Sequence, residues 1–464
     1  MTQRSANNAA PAAPDALPDG LPPRQRLFAF VAVAIAVTMA VLDTAIVNVA
    51  LPSMSRDLGS TPAQAVWIVN AYQLAITIAL LPLASVGDSL GYKKVYWCGL
   101  ALFSTASCAC AYAPTLPVLA CARAVQGLGA AGIMSVNIAL VRYIFPKAQL
   151  GVGMGYSSLV VAVSSAAGPS VAAAILSLAN WQWLFLVNVP LGALALVVAA
   201  RALPKTPASR HPFDVAGAAL NALTFGLLIG GLNTLSEVQG GRQAAAMLVL
   251  ALLFGVVFVR RELRRPVPML PVDLLRMPVF ALSLVTSIGS FAAQTMAGIA
   301  LPFYFEHTLG QTAVATGLLM TPWPVMTALV APMAGRLSDR FPPARLACVG
   351  LLVMALGLAS LPMLGAAPSY VDLGWRLGLC GVGFGLFQSP NNRVIVGSAP
   401  RSRSGGASGL QSMGRLLGQS LGAVAVAVIF ALGLAQPTAW IAWAAAALAL
   451  MACGASSLRP AALK

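Results

Sequence analysis

Three observations predict an all-α polytopic membrane protein. Hydrophobic residues fill 59% of the 464 positions and charged residues only 9%, where a soluble domain carries roughly 25% charged. The apolar runs are ~20 residues long, the length of helix that crosses bilayer hydrocarbon, and not the alternating ~10-residue segments of a barrel. Basic residues crowd into alternate connections, as expected of a chain threaded back and forth through a bilayer. Helices are the economical answer there, because backbone groups in lipid must pair internally.

The elements follow in order. Residues 1–26 are polar and rich in Ala, Pro and Asn, and predict a disordered tail. The apolar run after them is too long for a signal-peptide core. Fourteen apolar spans follow, at roughly 27–50, 63–86, 95–113, 116–141, 149–178, 183–202, 213–234, 244–260, 279–305, 312–334, 346–366, 371–392, 405–432 and 438–456. An even count puts both termini on one side, and residues 457–464 form a second short tail there. With that side taken as cytoplasmic, 23 Lys and Arg fall in cytoplasmic segments and two, Arg56 and Arg242, in outside loops. Arg123, Arg376 and Arg415 are embedded. This asymmetry is the positive-inside rule, so the net charge of +16 reports topology and does not call for a nucleic-acid partner. The seven cysteines lie in or at the ends of apolar runs without CxxC spacing, and read as packing residues.

The chain also repeats weakly. Arg123, Gln126, Gly127 and Gly129, leading to Asn137, are echoed by Arg376, Gly381 and Gly383, leading to Asn391. Asp88 after the second span is echoed by Asp339 after the tenth, both at an offset of ~250 residues. A six-helix bundle over 27–205 therefore recurs over 279–456, with two inserted helices and a linker over 206–278. Two similar halves about a central site is a transporter plan.

Four motifs carry chemistry. Asp43 lies within the first span, in Leu42-Asp43-Thr44-Ala45-Ile46-Val47-Asn48. A carboxylate at that depth is costly and by default functional. Burial disfavours the charged form of a carboxyl, bringing its titration toward the range a cell's proton gradient spans. The alternative is a structural acid locked to an arginine. The second motif is the loop Gly87-Asp88-Ser89-Leu90-Gly91-Tyr92-Lys93-Lys94, with Asp339 and Arg340 as its second copy. The third is Arg123, Gln126 and Gly127 on one face of span 4. An arginine at membrane depth needs a partner, and Asp43 is the obvious one. The fourth, in span 5, is Gly155, Ser164 and Gly168-Pro169, where a proline bends a small-residue face.

Taken together, these motifs resemble the major facilitator superfamily, and within it the fourteen-span drug:proton antiporters of the EmrB/QacA type. The resemblance covers nearly all of residues 27–456. It implies that Asp43 carries protons or binds cations, that Arg123 tunes it, that the Asp88 loop latches the cytoplasmic ends of the two bundles, and that the Gly-Pro motif marks an exporter. Ser89 and Tyr92 stand where the family's loop has basic residues, and Ser164 stands for a glycine.

Other polar positions are candidate cavity-lining residues: Asn48, Asn70, Gln73, Gln126 and Gln294, with Trp323, Gln388, Gln411 and Arg415 in the second half. Helix-to-helix hydrogen bonding is an equal alternative for most of them. Glu306, closing span 9, is a second candidate for cation binding or proton coupling, against the plainer reading of a solvated interface residue in an aromatic belt. Pro322-Trp323-Pro324 breaks span 10.

No GxxxxGK[ST] phosphate loop or HExxH occurs, and the two histidines lie far apart in the sequence, so neither ATP drive nor enzyme chemistry is expected, and no cofactor or metal. The expectation is a monomeric, proton-driven exporter of the bacterial inner membrane, working by alternating access. The resemblance implies lipophilic organic cations as the small-molecule substrate. The embedded charge, one acid to three arginines, leaves an organic anion or small metabolite as the alternative.

Overall fold

The structure, a computed structural model, describes residues 20–146, 149–204, 206, 213–234, 240–265, 268, 270, 272–338, 340–365, 368–398 and 404–459. Asp339 and most of the expected N-terminal tail lie outside the described residues. Among those described there is no strand.

Helix α1 runs Pro23–Asp57, four residues into the expected tail, because Pro23 is pre-set for a first helical turn. Its start is tied down: Leu21 N–H donates to Ile144 O at 3.0 Å, and Arg26 to Leu21 O. The chain continues through α2 (Pro62–Leu90), α3 (Tyr92–Ala111), α4 (Leu116–Ile144), α5 (Leu150–Leu178), α6 (Gln182–Leu186) and α7 (Asn188–Ala202). A hairpin follows, α8 (Val215–Thr234) and α9 (Gly241–Leu263). The last group is α10 (Pro278–Phe303), α11 (Ala313–Met320), α12 (Pro322–Leu337), α13 (Pro343–Ser360), α14 (Tyr370–Ser398), α15 (Ser404–Ala431) and α16 (Pro437–Ser457). Span 10 breaks at Thr321, ahead of Pro322 and Pro324.

Twelve helical segments among the described residues are long and apolar enough to cross a membrane. That is two fewer than the fourteen spans read from the sequence. The two outside this set are α3 and α14, of 20 and 29 residues. The first opens on Tyr92-Lys93-Lys94, and the second carries Asp372, Arg376, Asn391, Asn392 and Arg393.

The packing is duplicated. In the first group α1 packs on α5 and α7, α4 on α2 and α3, and α3 on α7. In the second, α10 packs on α15 and α16, α14 on α12 and α13, and α13 on α16. Each contact is the counterpart of the other, helix by helix. The groups meet where α1 faces α10, where α2 faces α15, and where α5 faces α11 and α12. Close approach there depends on small residues: a Cβ on Gly317 of α11 would stand 2.6 Å from Pro169 O of α5.

The α8–α9 hairpin packs through α8 on α2 and α15. Two asparagines fasten it. Asn70 Nδ2 donates to Asn233 Oδ1 at 2.9 Å, and Asn221 Nδ2 donates to Ile78 O at 2.8 Å. Asn70, a candidate cavity residue, thus serves helix-to-helix bonding instead. Below α8, Asp214 pairs with Arg261 at 2.7 Å and Arg265 at 2.6 Å. Cys348 and Cys453, read from the sequence as packing residues, form a disulfide between α13 and α16.

One end of the bundle is strongly basic, with Arg142, Arg201, Arg260, Arg261 and Arg336 in the last turns of helices that finish there. We call this the basic face; α1 and α10 begin at it and finish at the opposite face.

Candidate functional site

Asp43 is the twenty-first residue of α1, about 30 Å along the helix from Pro23. Its side chain is fully buried, and Arg123 of α4 is 1% exposed. The two form an ion pair, Arg123 Nη1 to Asp43 Oδ2. The other oxygen, Oδ1, accepts from Gln126 Nε2 at 2.9 Å and from Asn188 Nδ2 of α7 at 3.4 Å. Gln126 Oε1 accepts from Arg123 Nη1 at 2.6 Å, and Gln126 Nε2 also donates to Ser107 Oγ of α3 at 2.8 Å. Arg123 Nε donates to Ile68 O of α2 at 3.1 Å. Its guanidinium lies 4.1 Å from the Tyr72 ring centroid and 5.7 Å from that of Phe185, a cation–π arrangement. Six helices of the first group, α1, α2, α3, α4, α6 and α7, thus contribute residues to the cluster around this ion pair. The i, i+3, i+4 spacing of Arg123, Gln126 and Gly127 explains the geometry: two side chains reach Asp43 while the glycine admits α2, whose Tyr72 O would lie 2.5 Å from a Cβ at Gly127.

The chemistry of this arrangement is a linked pair. Two charges out of water are tolerable only while each answers the other and the spare donors are filled. Adding a proton to Asp43 would leave Arg123 buried without its counter-ion. Occupancy of the carboxyl and the packing of α1 against α4 are therefore bound together.

Sequence reasoning paired Asp43 with Arg123 and read Gln126, on the same helical face, as a cavity-lining candidate; the structure brings all three together. It did not single out Asn188, Ser107, Tyr72 or Phe185 as members of this cluster. A lone Asn or Ser in an apolar span carries no pattern; only its contacts show its use.

Glu306 stands elsewhere. It lies in a π turn, Tyr304–Thr308, that prolongs α10 at the opposite face, and such turns often mark function. Its buried Oε2 pairs with Arg56 Nη2 at the end of α1, 2.9 Å away, and Oε1 has no partner. Arg56 is thirteen residues from Asp43, about 20 Å along α1. Beside this bridge, a cavity of about 1120 Å³ is lined by Trp67 of α2, Phe303, Tyr304 and His307, and Phe430 of α15. None of the residues around Asp43 lines it.

The loop motif binds within its own group. Asp88 Oδ1 accepts from Tyr92 O–H, and Lys93 Nζ donates to Ala200 O and Leu203 O, both at 2.8 Å. Gly91 has φ +93°, a value that favours glycine. Lys94 and Arg340 are exposed. In span 5, Ser164 Oγ donates to Thr38 of α1 at 3.0 Å, and a Cβ on Gly168 would stand 2.3 Å from Ala45 Cβ. Pro169 meets Gly317, whereas Gly155 faces open space. Gln73 and Trp323 are buried, the latter with Nε1 unpartnered. Asn48, Gln294, Gln388, Gln411 and Arg415 are half-buried.

Comparison with known proteins agrees with this architecture. The Major Facilitator Superfamily model matches residues 33–423, and the chain belongs to that superfamily of membrane transporters. It is 53% identical over 413 residues to "Uncharacterized transporter YebQ" of Escherichia coli (strain K12), covering 89% of this chain and 90% of that one. It is 30% identical to "Multidrug resistance protein Stp" of Mycobacterium tuberculosis (strain CDC 1551 / Oshkosh), covering 86% and 75%. Among solved structures, a D-xylose-proton symporter superposes with a TM-score of 0.68 at 13% identity, covering 92% of this chain and 96% of that one.

Proposed function

We propose that this chain is a proton-coupled exporter of amphipathic organic molecules, working by alternating access in a bacterial inner membrane. The observation that carries the reading is the sealed Asp43–Arg123 pair at mid-depth of α1. Protons arriving from outside neutralise Asp43 and release Arg123, and the first group repacks against the second. Substrate loads from the basic side while Asp43 is ionised. The Arg56–Glu306 bridge joins the ends of α1 and α10 and acts as the outer latch, with the 1120 Å³ aromatic cavity beside it as the exit vestibule. Relatives named for multidrug resistance support export.

The reading includes fourteen membrane spans with both termini cytoplasmic. Helix α3, at 20 residues, is about 30 Å long, and counting it and α14 as crossings keeps the basic helix ends on one side. The protein acts as a monomer with two six-helix bundles, needs no cofactor beyond the gradient, and makes no covalent bond. The drug-cation substrates implied by family resemblance require Asp43 to be released from Arg123 before it can answer a cation.

The test is proton release from purified protein in detergent, followed with a pH dye as candidate substrates are added, with Asp43→Asn beside wild type. Release from wild type alone supports the reading. Equal release from both proteins overturns the role of Asp43 and passes it to Glu306.

A further inference from the structure

At membrane depth the charges are unequally satisfied. The acids have partners: Asp43 is held by Arg123, Glu306 by Arg56 and Asp372 by Arg376, while Glu262 accepts from Leu270 N–H. Most Lys and Arg side chains are exposed. Among the described ones that are not, Arg415 alone has no acid and no hydrogen-bond acceptor. It is half-buried, eleven residues into α15 and so about 16 Å from the basic end of that helix.

The neighbours of α15 fix where Arg415 points. Gly414, Gly418 and Gly422 press on Leu284, Ile288 and Ala292 of α10. Gly409 faces Leu81 of α2, and Leu416 joins the core of the first group. Leu410 and Met413 share a cluster with Leu220 and Phe225 of α8. At about 100° per residue, Gln411, Arg415 and Gln419 take the one remaining face. It lies between α10 and α2 on the side away from α8, which is the seam between the two halves. An arginine left unpaired within a membrane protein faces the bundle interior or a water-filled cavity, and by default marks a substrate path. Its planar fork matches a carboxylate with two parallel bonds, and Gln411 and Gln419, one turn to either side, add amide donors.

From this placement we infer that the transported molecule is an amphipathic organic carboxylate, received at the seam by Arg415 with Gln411 and Gln419. The inference rests on the export reading and names its substrate class. It departs from the cation expectation, because the acid that would receive a cation is sealed inside the first group while the seam presents an unanswered positive charge. An inside-negative membrane potential also drives an anion outward.

Two xanthene dyes of opposite charge test it: fluorescein, a carboxylate, and rhodamine 123, a cationic ester. Binding to purified protein is read by fluorescence anisotropy. Wild type is expected to bind fluorescein at least about tenfold more tightly than rhodamine 123. Arg415→Gln should lose that tenfold without weakening rhodamine binding, and Arg415→Lys should retain part of it, since a point charge lacks the fork. Melting temperatures guard against misfolding. A wild-type preference for rhodamine, or fluorescein binding unchanged in Arg415→Gln, overturns the assignment. Proteoliposomes with an imposed pH gradient separate the two readings. Arg415-dependent binding with no gradient-driven movement of dye leaves the carboxylate site standing and defeats proton-coupled export.

Discussion

Arg123 and Asp43 are the residues on which the interior of the first group depends. Removing one partner of a buried pair leaves the other uncompensated, at a cost of about 3–5 kcal/mol. Asp43→Asn should therefore melt well below wild type in detergent, and Asp43→Asn with Arg123→Gln should recover most of the loss. If the double variant melts no higher than the single, the pair is not what holds these helices. Two polar residues on one face of span 4 and one acid within span 1 made the pairing legible in advance. Asn188 and Ser107 were not, because a single amide or hydroxyl in an apolar run reads alike whether it bonds a carboxylate or a passing carbonyl. Arg56 reads in the sequence only as a loop cation, since nothing local joins it to a glutamate 250 positions away.

Elements show the same limit. The break in span 10 was readable from two prolines around Trp323, whereas the π turn that buries Glu306 has no such marker. Helix α11 leans on α5 through Gly317, and a larger side chain has no room there. Gly317→Val is expected to cut transport sharply while leaving the fold of each half intact, as checked by flux in proteoliposomes beside limited proteolysis. The α8–α9 hairpin makes a different prediction. Burial raises the Asp214 carboxyl, but Gly217 N–H, Arg261 and Arg265 outweigh it and hold it below the usual carboxylate range. A depressed carboxyl contributes stability above its unfolded value, near 3.9, and loses it as pH falls through the folded one. Hydrogen exchange in α8 and α9, divided by the intrinsic amide rate at each pH, should be flat from neutral pH to about 5 and rise below about 4. Asp214→Asn should show the raised exchange already at neutral pH.

For the whole molecule, the duplicated packing was foreshadowed by two short echoes about 250 residues apart. Its helix-by-helix detail was not, since contacts between helices leave little trace in an apolar alphabet of Ala, Leu, Val and Gly. The span count is the point at which sequence and structure differ, and it is open to direct measurement. With fourteen crossings, a membrane-impermeant maleimide added to cells should label Thr115→Cys and Ser369→Cys but not Lys94→Cys or Gly397→Cys. Equal labelling within either pair removes α3 or α14 from the membrane.

The asparagine-fastened hairpin has one more consequence. The two halves meet along two flanks, α2 with α15 and α5 with α12, and α8 lies over only the first. A greasy compound dissolved in the bilayer thus meets a shuttered flank on one side and a bare one on the other. Among the described residues, the flank the hairpin leaves uncovered is the one beside α5 and α12.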